Sequence, residues 1–325
     1  MQLVRNCPIC NSNSLKILYR YVFNKKKQQV YSNIGIFFKE FAKEKKSYVF
    51  LINLCRKCGF LFLNPRFTEE DYKKLFSSKG TLDNRQSIII NNVSKSVYYY
   101  NIIKKFYSLP IHRKNRNKPN ILDFGGHLGY NLIPYLKNYN CYLIDYRKYD
   151  HPKGIKYLGR NSLVLEEKDI IFDIIISTHV LEHVNNPRHV IEILSQHLKE
   201  NGLLYIEVPL GCFQEWKNLD TPFRHINYFS KQSLYNLFKL VNLKVLYLKI
   251  SIKKIKGFTP HWNLDIIGTK SSLHMKQKKI NIISTESQMK KFYYYIPLII
   301  KKYGLKPIII SKLIEKLKKK IQIDK

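Results

Sequence analysis

Four cysteines fall into two identical spacings, Cys7-Pro-Ile-Cys10 and Cys55-Arg-Lys-Cys58. A Cys-x-x-Cys pair presents two thiolates from one tight knuckle, and two such pairs supply the four sulfurs of a tetrahedral zinc site. Four protein ligands close the coordination sphere, so Zn2+ held by Cys7, Cys10, Cys55 and Cys58 would be structural, helping to fold a segment too small to hold itself. Disulfides are disfavoured in the reducing cytosol expected for this chain. A thioredoxin-like redox pair is the rival reading, and it has no need of the second knuckle. Cys141 and Cys212 lack such partners and read as core or loop residues.

A second constellation is Asn120-Ile-Leu-Asp-Phe-Gly-Gly-His-Leu-Gly129, an apolar strand running into a glycine turn that opens a helix. Gly125, Gly126 and Gly129 let backbone approach a ligand without interference from a Cβ. Twenty-two residues after Asp123 the next strand ends in Leu143-Ile-Asp145, which puts a carboxylate where it can accept both hydroxyls of a ribose. A dinucleotide site needs glycines at i, i+2 and i+5 to seat a pyrophosphate on the helix N-terminus. From Gly125 the second and third of those positions hold His127 and Tyr130, and from Gly126 they hold Leu128 and Asn131, so neither register fits. S-adenosylmethionine (SAM) has no pyrophosphate. Its acid-x-Gly-x-Gly-x-Gly turn is met at three of four places by Asp123, Gly125 and Gly129, with His127 where the middle glycine is common. A tight turn with no ligand would use the same glycines.

These residues need elements to hold them. Strands are expected at Asn120–Phe124, Cys141–Asp145, Ile155–Leu158, Phe172–Ser177, Leu203–Val208 and Lys244–Ile250, with a last one near Leu264–Gly268. Val190, Ile191, Leu194 and Leu198 share one helical face, and Leu234, Leu237, Phe238 and Val241 share another. Asn186-Pro187 starts the first of these helices with a capping side chain and a proline in the first turn. This alternation predicts a Rossmann-like, doubly wound α/β fold, with a mostly parallel seven-stranded sheet covered on both faces. The last two strands have no obvious helix between them and are expected to pair antiparallel at one edge. Four regions follow: a small zinc-binding module over 1–68, a helical connector over 69–118 with an apolar stripe at Val97–Ile103, a catalytic domain over 119–270 and a basic helical extension over 271–325.

With four further segments the chain resembles the class I SAM-dependent methyltransferases that carry an N-terminal zinc-binding domain. That group includes deoxysugar C-methyltransferases and many enzymes of surface-polysaccharide gene clusters. Cys55–Arg66 resembles the family's second cysteine pair and the strand after it. His179-Val-Leu-Glu-His-Val184 resembles its Leu-Glu-His segment, Gly202–Pro209 its fifth strand, and His225-Ile-Asn-Tyr-Phe-Ser230 its His-x-x-Tyr-Phe-Ser stretch. The resemblance spans roughly residues 7–270. It implies that Asp123 and Gly125 to Gly129 surround the methionine part of SAM, that Asp145 meets the ribose, and that His179 begins a loop passing the cofactor. Glu182 and His183 would shape that loop. The implied acceptor is a small molecule, a sugar or nucleotide sugar of surface-polysaccharide biosynthesis.

Methyl transfer is an in-line displacement at a sulfonium carbon, and the cofactor brings the activation. A base is needed where the acceptor loses a poorly acidic proton, and histidine titrates in the right range. His225 and His183 are the two candidate catalytic residues. Sugar C-methyltransferases typically place glutamate before the histidine matching His225; Arg224 stands there in this chain, which leaves oxygen and nitrogen acceptors open. An RNA-directed methyltransferase is the alternative, with an aromatic, basic N-terminal module stacking on bases. Ser177-Thr-His-Val180 is not the Asn/Asp-Pro-Pro-Tyr of base-amino methyltransferases, and a Pro-Cys pair for cytosine-C5 chemistry is absent. A non-catalytic SAM-binding scaffold is a third reading.

The net charge of +34 is unevenly spread, at +11 over residues 1–68, +7 over 69–118, +2 over 119–250 and +14 over 251–325. Positive flanks can attract nucleic acid or anionic lipid, although a lysine-rich composition throughout gives the same count. No specific nucleic-acid partner is expected. The apolar and basic run from Tyr293 to Lys320 is compatible with peripheral contact on an anionic membrane surface, or with a solvated helix. Neither a signal-peptide layout at the start nor an uncharged apolar run of about eighteen residues is present, so a cytoplasmic protein is expected.

Overall fold

Aromatic and aliphatic residues dominate the first strands of the chain, and they form a small sheet of their own. The computed structural model describes residues 1–24, 41, 47–68, 70–71, 95–107, 118–146, 148, 150–211, 225–253, 261–270 and 284–287. β1 (Leu15–Asn24), β2 (Ser47–Cys55) and β3 (Leu61–Asn64) run antiparallel. The fourth strand of this sheet is distant in sequence: β9, only Asn227–Tyr228, pairs antiparallel with β3.

The large sheet holds β4 (Asn120–Phe124), β5 (Asn140–Ile144), β6 (Ile155–Gly159), β7 (Phe172–Thr178), β8 (Leu198–Pro209), β10 (Lys244–Lys253) and β11 (His261–Thr269), in the order β10-β11-β8-β7-β4-β5-β6. β6, β5, β4, β7 and β8 are parallel, while β11 is antiparallel to both β8 and β10. This is the expected doubly wound, mostly parallel, seven-stranded arrangement, with its antiparallel pair at one edge. β4 and β7 are buried on both faces, as parallel central strands require. The winding reverses between them, since β5 and β6 extend one way from β4 and β7 and β8 the other. Such a reversal opens a crevice at the carboxyl ends of the strands.

Helices cover both faces. On one, α1 (residues 95–103) buries Tyr99, Ile102 and Ile103 against Ile121, Ile174, Ile176 and Tyr205. The other carries α2 (Leu163–Glu166), α3 (Pro187–Gln196) and α4 (Lys231–Leu240). That second core is continuous with the interior of the N-terminal sheet, where Phe60 meets Phe229 with ring centroids 5.2 Å apart.

Local chemistry explains the helix ends. Asn186 accepts from the His189 N–H at 3.1 Å and Pro187 opens α3, as its sequence predicts. Ser230 and Ser233 form a reciprocal capping box on α4. Two expectations need correction. Leu198 does not continue the face of Val190, Ile191 and Leu194. It begins β8 and pairs with Phe172. The element after the glycine turn is a six-residue 3-10 helix, Tyr130–Tyr135, with Pro134 inside it. Proline lacks the N–H that an α-helix would use there and clashes with the preceding turn. Most of 69–94, Arg224, Cys212 and the 293–320 stretch lie outside the described residues.

Candidate functional site

Asp123 is the fourth residue of β4 and is fully buried. Its Oδ1 accepts from the Asn131 side chain at 3.2 Å, and Asn131 also reaches Thr178 Oγ1 at 3.4 Å, tying the ends of β4 and β7 together. Asp123 Oδ2 is buried with no hydrogen-bond partner. Burial pushes its carboxyl up to about 7, the Asn131 hydrogen bond acting against this and the Asp145 charge adding to it. The chain passes it through Gly125 and Gly129, both at φ 74°, a region that side chains rarely tolerate. A Cβ on Gly126 would overlap the Asp123 carboxylate, so only glycine lets the turn lie this close.

Asp145 directly follows β5 and accepts from the His127 backbone N–H at 2.8 Å. Its own carbonyl accepts from Tyr157 Oη at 2.9 Å. The turn after β4 and the end of β5 therefore form one wall. The next wall is the loop after β7, whose Val180 packs so tightly on Gly125 that a side chain there would collide with it. The candidate cofactor residues Asp123, Gly125, Gly126, Gly129 and Asp145 are thus brought together, with the His179 loop against them.

His179 sits at φ 57° and links two buried carboxylates, with Nδ1 3.3 Å from Glu182 Oε1 and Nε2 3.0 Å from Glu207 Oε1. Burial disfavours its charge, but the two carboxylates hold its pKa up to about 9. The ring is packed among protein atoms and still leaves 40% of its side-chain surface open, as a crevice-lining group does. Glu207 also accepts from Tyr99 Oη at 2.9 Å. Across the ladder Glu207 faces Asp265, which accepts from Tyr205 at 2.8 Å and Tyr98 at 3.0 Å. Burial, together with Glu207 beside it, pushes the Asp265 carboxyl up to about 6. Sequence reasoning missed this pair, although one glutamate inside the apolar run Leu203–Val208 was a signal that a buried charge needed partners.

The two candidate catalytic histidines meet around Glu182. The rings of His183 and His225 pack edge to face with centroids 4.7 Å apart, and His183 Nε2 lies 3.8 Å from Glu182 Oε1. Burial would raise the Glu182 carboxyl, but His179, His183 and His225 hold it below the usual carboxylate range. Backbone contacts set this geometry. The Glu182 carbonyl accepts from the Ile226 and Asn227 N–H groups at 2.9 and 3.1 Å. Asn227 Nδ2 donates to the carbonyls of Leu181 and Val184, both at 2.7 Å. Arg66, from the end of the N-terminal sheet, donates to the Asn185 carbonyl at 2.7 Å, and also to the Ile226 carbonyl and Asn227 Oδ1.

The four cysteines converge as their spacing predicts. Cys7 Sγ lies 3.5 Å from Cys58 Sγ, and Cys10 Sγ lies 3.5 Å from Cys55 Sγ. All four sulfurs fall within 4.8 Å of one another, a set that could hold a metal ion. Sulfurs bound to one tetrahedral zinc sit about 3.8 Å apart, so the cluster is close to that geometry. Cys141 is a buried core residue, as read from the sequence.

Residues 100–248 match the family model described as a methyltransferase domain. The chain carries a methyltransferase domain. The expectation of a methyltransferase enzyme is met at that level, on the seven-stranded fold described above. No curated protein matches the chain. Among solved structures, similarity is found to a chain of the complex containing the Haloferax volcanii Trm112 methyltransferase activator, with 14% identity, TM-score 0.41, and 58% of this chain and 96% of that one covered. A SAM-dependent methyltransferase of Methanosarcina mazei gives 15%, 0.38, 52% and 97%, and the YcgJ protein of Bacillus subtilis 14%, 0.40, 55% and 99%. Among the described residues, no helix is long and apolar enough to cross a membrane.

Proposed function

We propose that the methyltransferase domain transfers a methyl group from SAM to a small-molecule acceptor, a sugar or nucleotide sugar of surface-polysaccharide synthesis. The observation that carries the reading is the crevice with a fully buried carboxylate, Asp123, whose Oδ2 lacks a protein partner, and a second carboxylate, Asp145, one strand away. The chemistry of this donor set fits the cofactor, because a cationic methionine moiety complements Asp123 and a ribose complements Asp145. When bound, SAM supplies a methyl group already activated on sulfur.

The chain's own part is to bind and orient. Gly125, Gly126 and Gly129 keep the wall near Asp123 free of side chains, and His179 braces the loop that closes the other side. His225 and His183 stand on the acceptor side as base or orienting group. A hydroxyl acceptor would gain the methyl carbon and give up its proton, which an imidazole nitrogen can take. Cys7, Cys10, Cys55 and Cys58 hold one structural zinc. That ion would stiffen the sheet whose β3 pairs with β9, two residues after His225.

Mass spectrometry of the full chain incubated with SAM and a panel of nucleotide sugars tests the reading. One acceptor should gain a single methyl mass. Methylation of RNA instead, with every sugar untouched, would refute the acceptor class.

A further inference from the structure

Glu182 brings a buried carboxylate into a cluster of imidazoles. The carbonyl of this residue clamps the 181–184 loop to Ile226 and Asn227. The carboxylate is 2% exposed; Oε1 is paired with His179 Nδ1 at 3.3 Å, while Oε2 has no hydrogen-bond partner. A buried carboxylate is retained where it is paired or where it coordinates a cation. Around it stand two imidazoles, His183 and His225, with the ligand atoms of all three residues within 4.8 Å of one another.

We propose that Glu182, His183 and His225 form a second metal site, taking a divalent first-row ion with zinc as the reference. One carboxylate and two imidazoles are a ligand set that such ions accept, and three protein ligands leave a coordination position open. The ligand atoms already lie within 4.8 Å of one another, and the His183 side chain, 45% exposed, leaves the cluster open to an entering ion. The ion's outer support is already built. His179 lies against Glu182 Oε1 through Nδ1 and against Glu207 through Nε2, a carboxylate–histidine–carboxylate chain that fixes the ligand oxygen. Tyr99 then holds Glu207 from α1.

The inference deepens the proposed function: the histidines would orient the acceptor through an ion, whose open position faces an oxygen or nitrogen donor. It rests on that reading for the role of the ion and not for its existence. The site is distinct from the cysteine cluster, which is closed by four sulfurs.

The test counts metal. Full-length protein is loaded with Zn2+, exchanged into metal-free buffer and analysed for bound zinc, alongside Glu182→Gln and His183→Asn. Each variant should hold one zinc fewer per chain than the parent. His179→Gln should retain the site with affinity for Zn2+ lowered roughly 10- to 100-fold. His183→Asp, which restores a ligand, should regain part of the lost binding. Equal zinc content in the parent, Glu182→Gln and His183→Asn would overturn the proposal, whether or not the chain methylates any acceptor. Loss of one zinc in both variants would uphold the site, even if every acceptor remained unmethylated and the methyl-transfer reading failed.

Discussion

The backbone N–H of His127 donates to Asp145 Oδ2 over 2.8 Å, so the turn after β4 is tied to the end of β5 by a charged hydrogen bond. Asp145→Ala removes both this tie and the carboxylate offered to a ribose. SAM affinity should fall by about 1.5–3 kcal/mol, the scale of a lost hydrogen bond to a charged group. Titration calorimetry returning the parent affinity would exclude Asp145 from the cofactor site.

His127 holds that position at φ 50°, where a glycine would be free of strain. A left-handed conformation costs a non-glycine residue about 1–2 kcal/mol, and glycine gives part of this back in unfolded-state entropy. His127→Gly should therefore raise stability, by about 0.5 kcal/mol in chemical denaturation. A loss of more than about 1 kcal/mol would show that the imidazole makes contacts worth more than the strain.

Asp123 gives a dependence on pH. Its folded pKa of about 7 lies above the ordinary aspartate value of about 4, so between them the folded state binds the proton and the unfolded state has lost it. Its contribution to stability is full below about pH 4 and is lost as pH rises through 7. Asp123→Asn should flatten that part of the stability–pH curve. A cationic ligand reverses the preference, so SAM should bind more tightly at pH 8 than at pH 6 and release a proton on binding near pH 6. Calorimetric enthalpies at pH 6 that do not change with the ionisation enthalpy of the buffer would count against contact between Asp123 and the cofactor.

Much of this site was legible because its signals are local. The Asn120–Phe124 strand, the turn after it, Asp145, the Asn186 cap and the cysteine spacing each depend on residues a few places apart. What stayed hidden is set by distant pairing. β9 has two residues and no periodicity to read, and it exists because β3 offers a free edge. The Asp265–Glu207 pairing depends on register between β8 and β11, more than fifty residues apart. Arg66 reads as one more basic residue until Asn185, Ile226 and Asn227 are seen around it. The fold class was the easier inference, since alternating apolar strands and amphipathic helices have few arrangements open to them.

The cysteine cluster should behave as a fold-stabilising zinc site. Replacing Cys55 and Cys58 together by serine should remove one zinc per chain. Binding at such sites supplies on the order of 10 kcal/mol toward local folding, so β1, β2 and β3 should lose amide protection while β4, β7 and β8 keep theirs. Arg66 would lose its platform, and protection at Ile226 and Asn227 should fall with it. Unchanged zinc content in the double variant would refute the assignment.

His225 separates the chemical role from the architectural one. Its carbonyl accepts from Tyr228 Oη at 2.8 Å, and the following N–H of Ile226 donates to the Glu182 carbonyl, so these two bonds hold the backbone here. The ring packs edge to face on His183, with centroids 4.7 Å apart. His225→Asn keeps the backbone contacts and a polar side chain while removing a group that can take a proton or hold an ion. kcat should fall by roughly 10²- to 10⁴-fold, with SAM affinity and thermal stability near the parent values. His183→Asn should give a smaller loss if His225 is the base, and an equal one if the two act through a shared ion. If His225→Asn lost stability in proportion to activity, the imidazole would be part of the packing, and the base would have to be sought at His183.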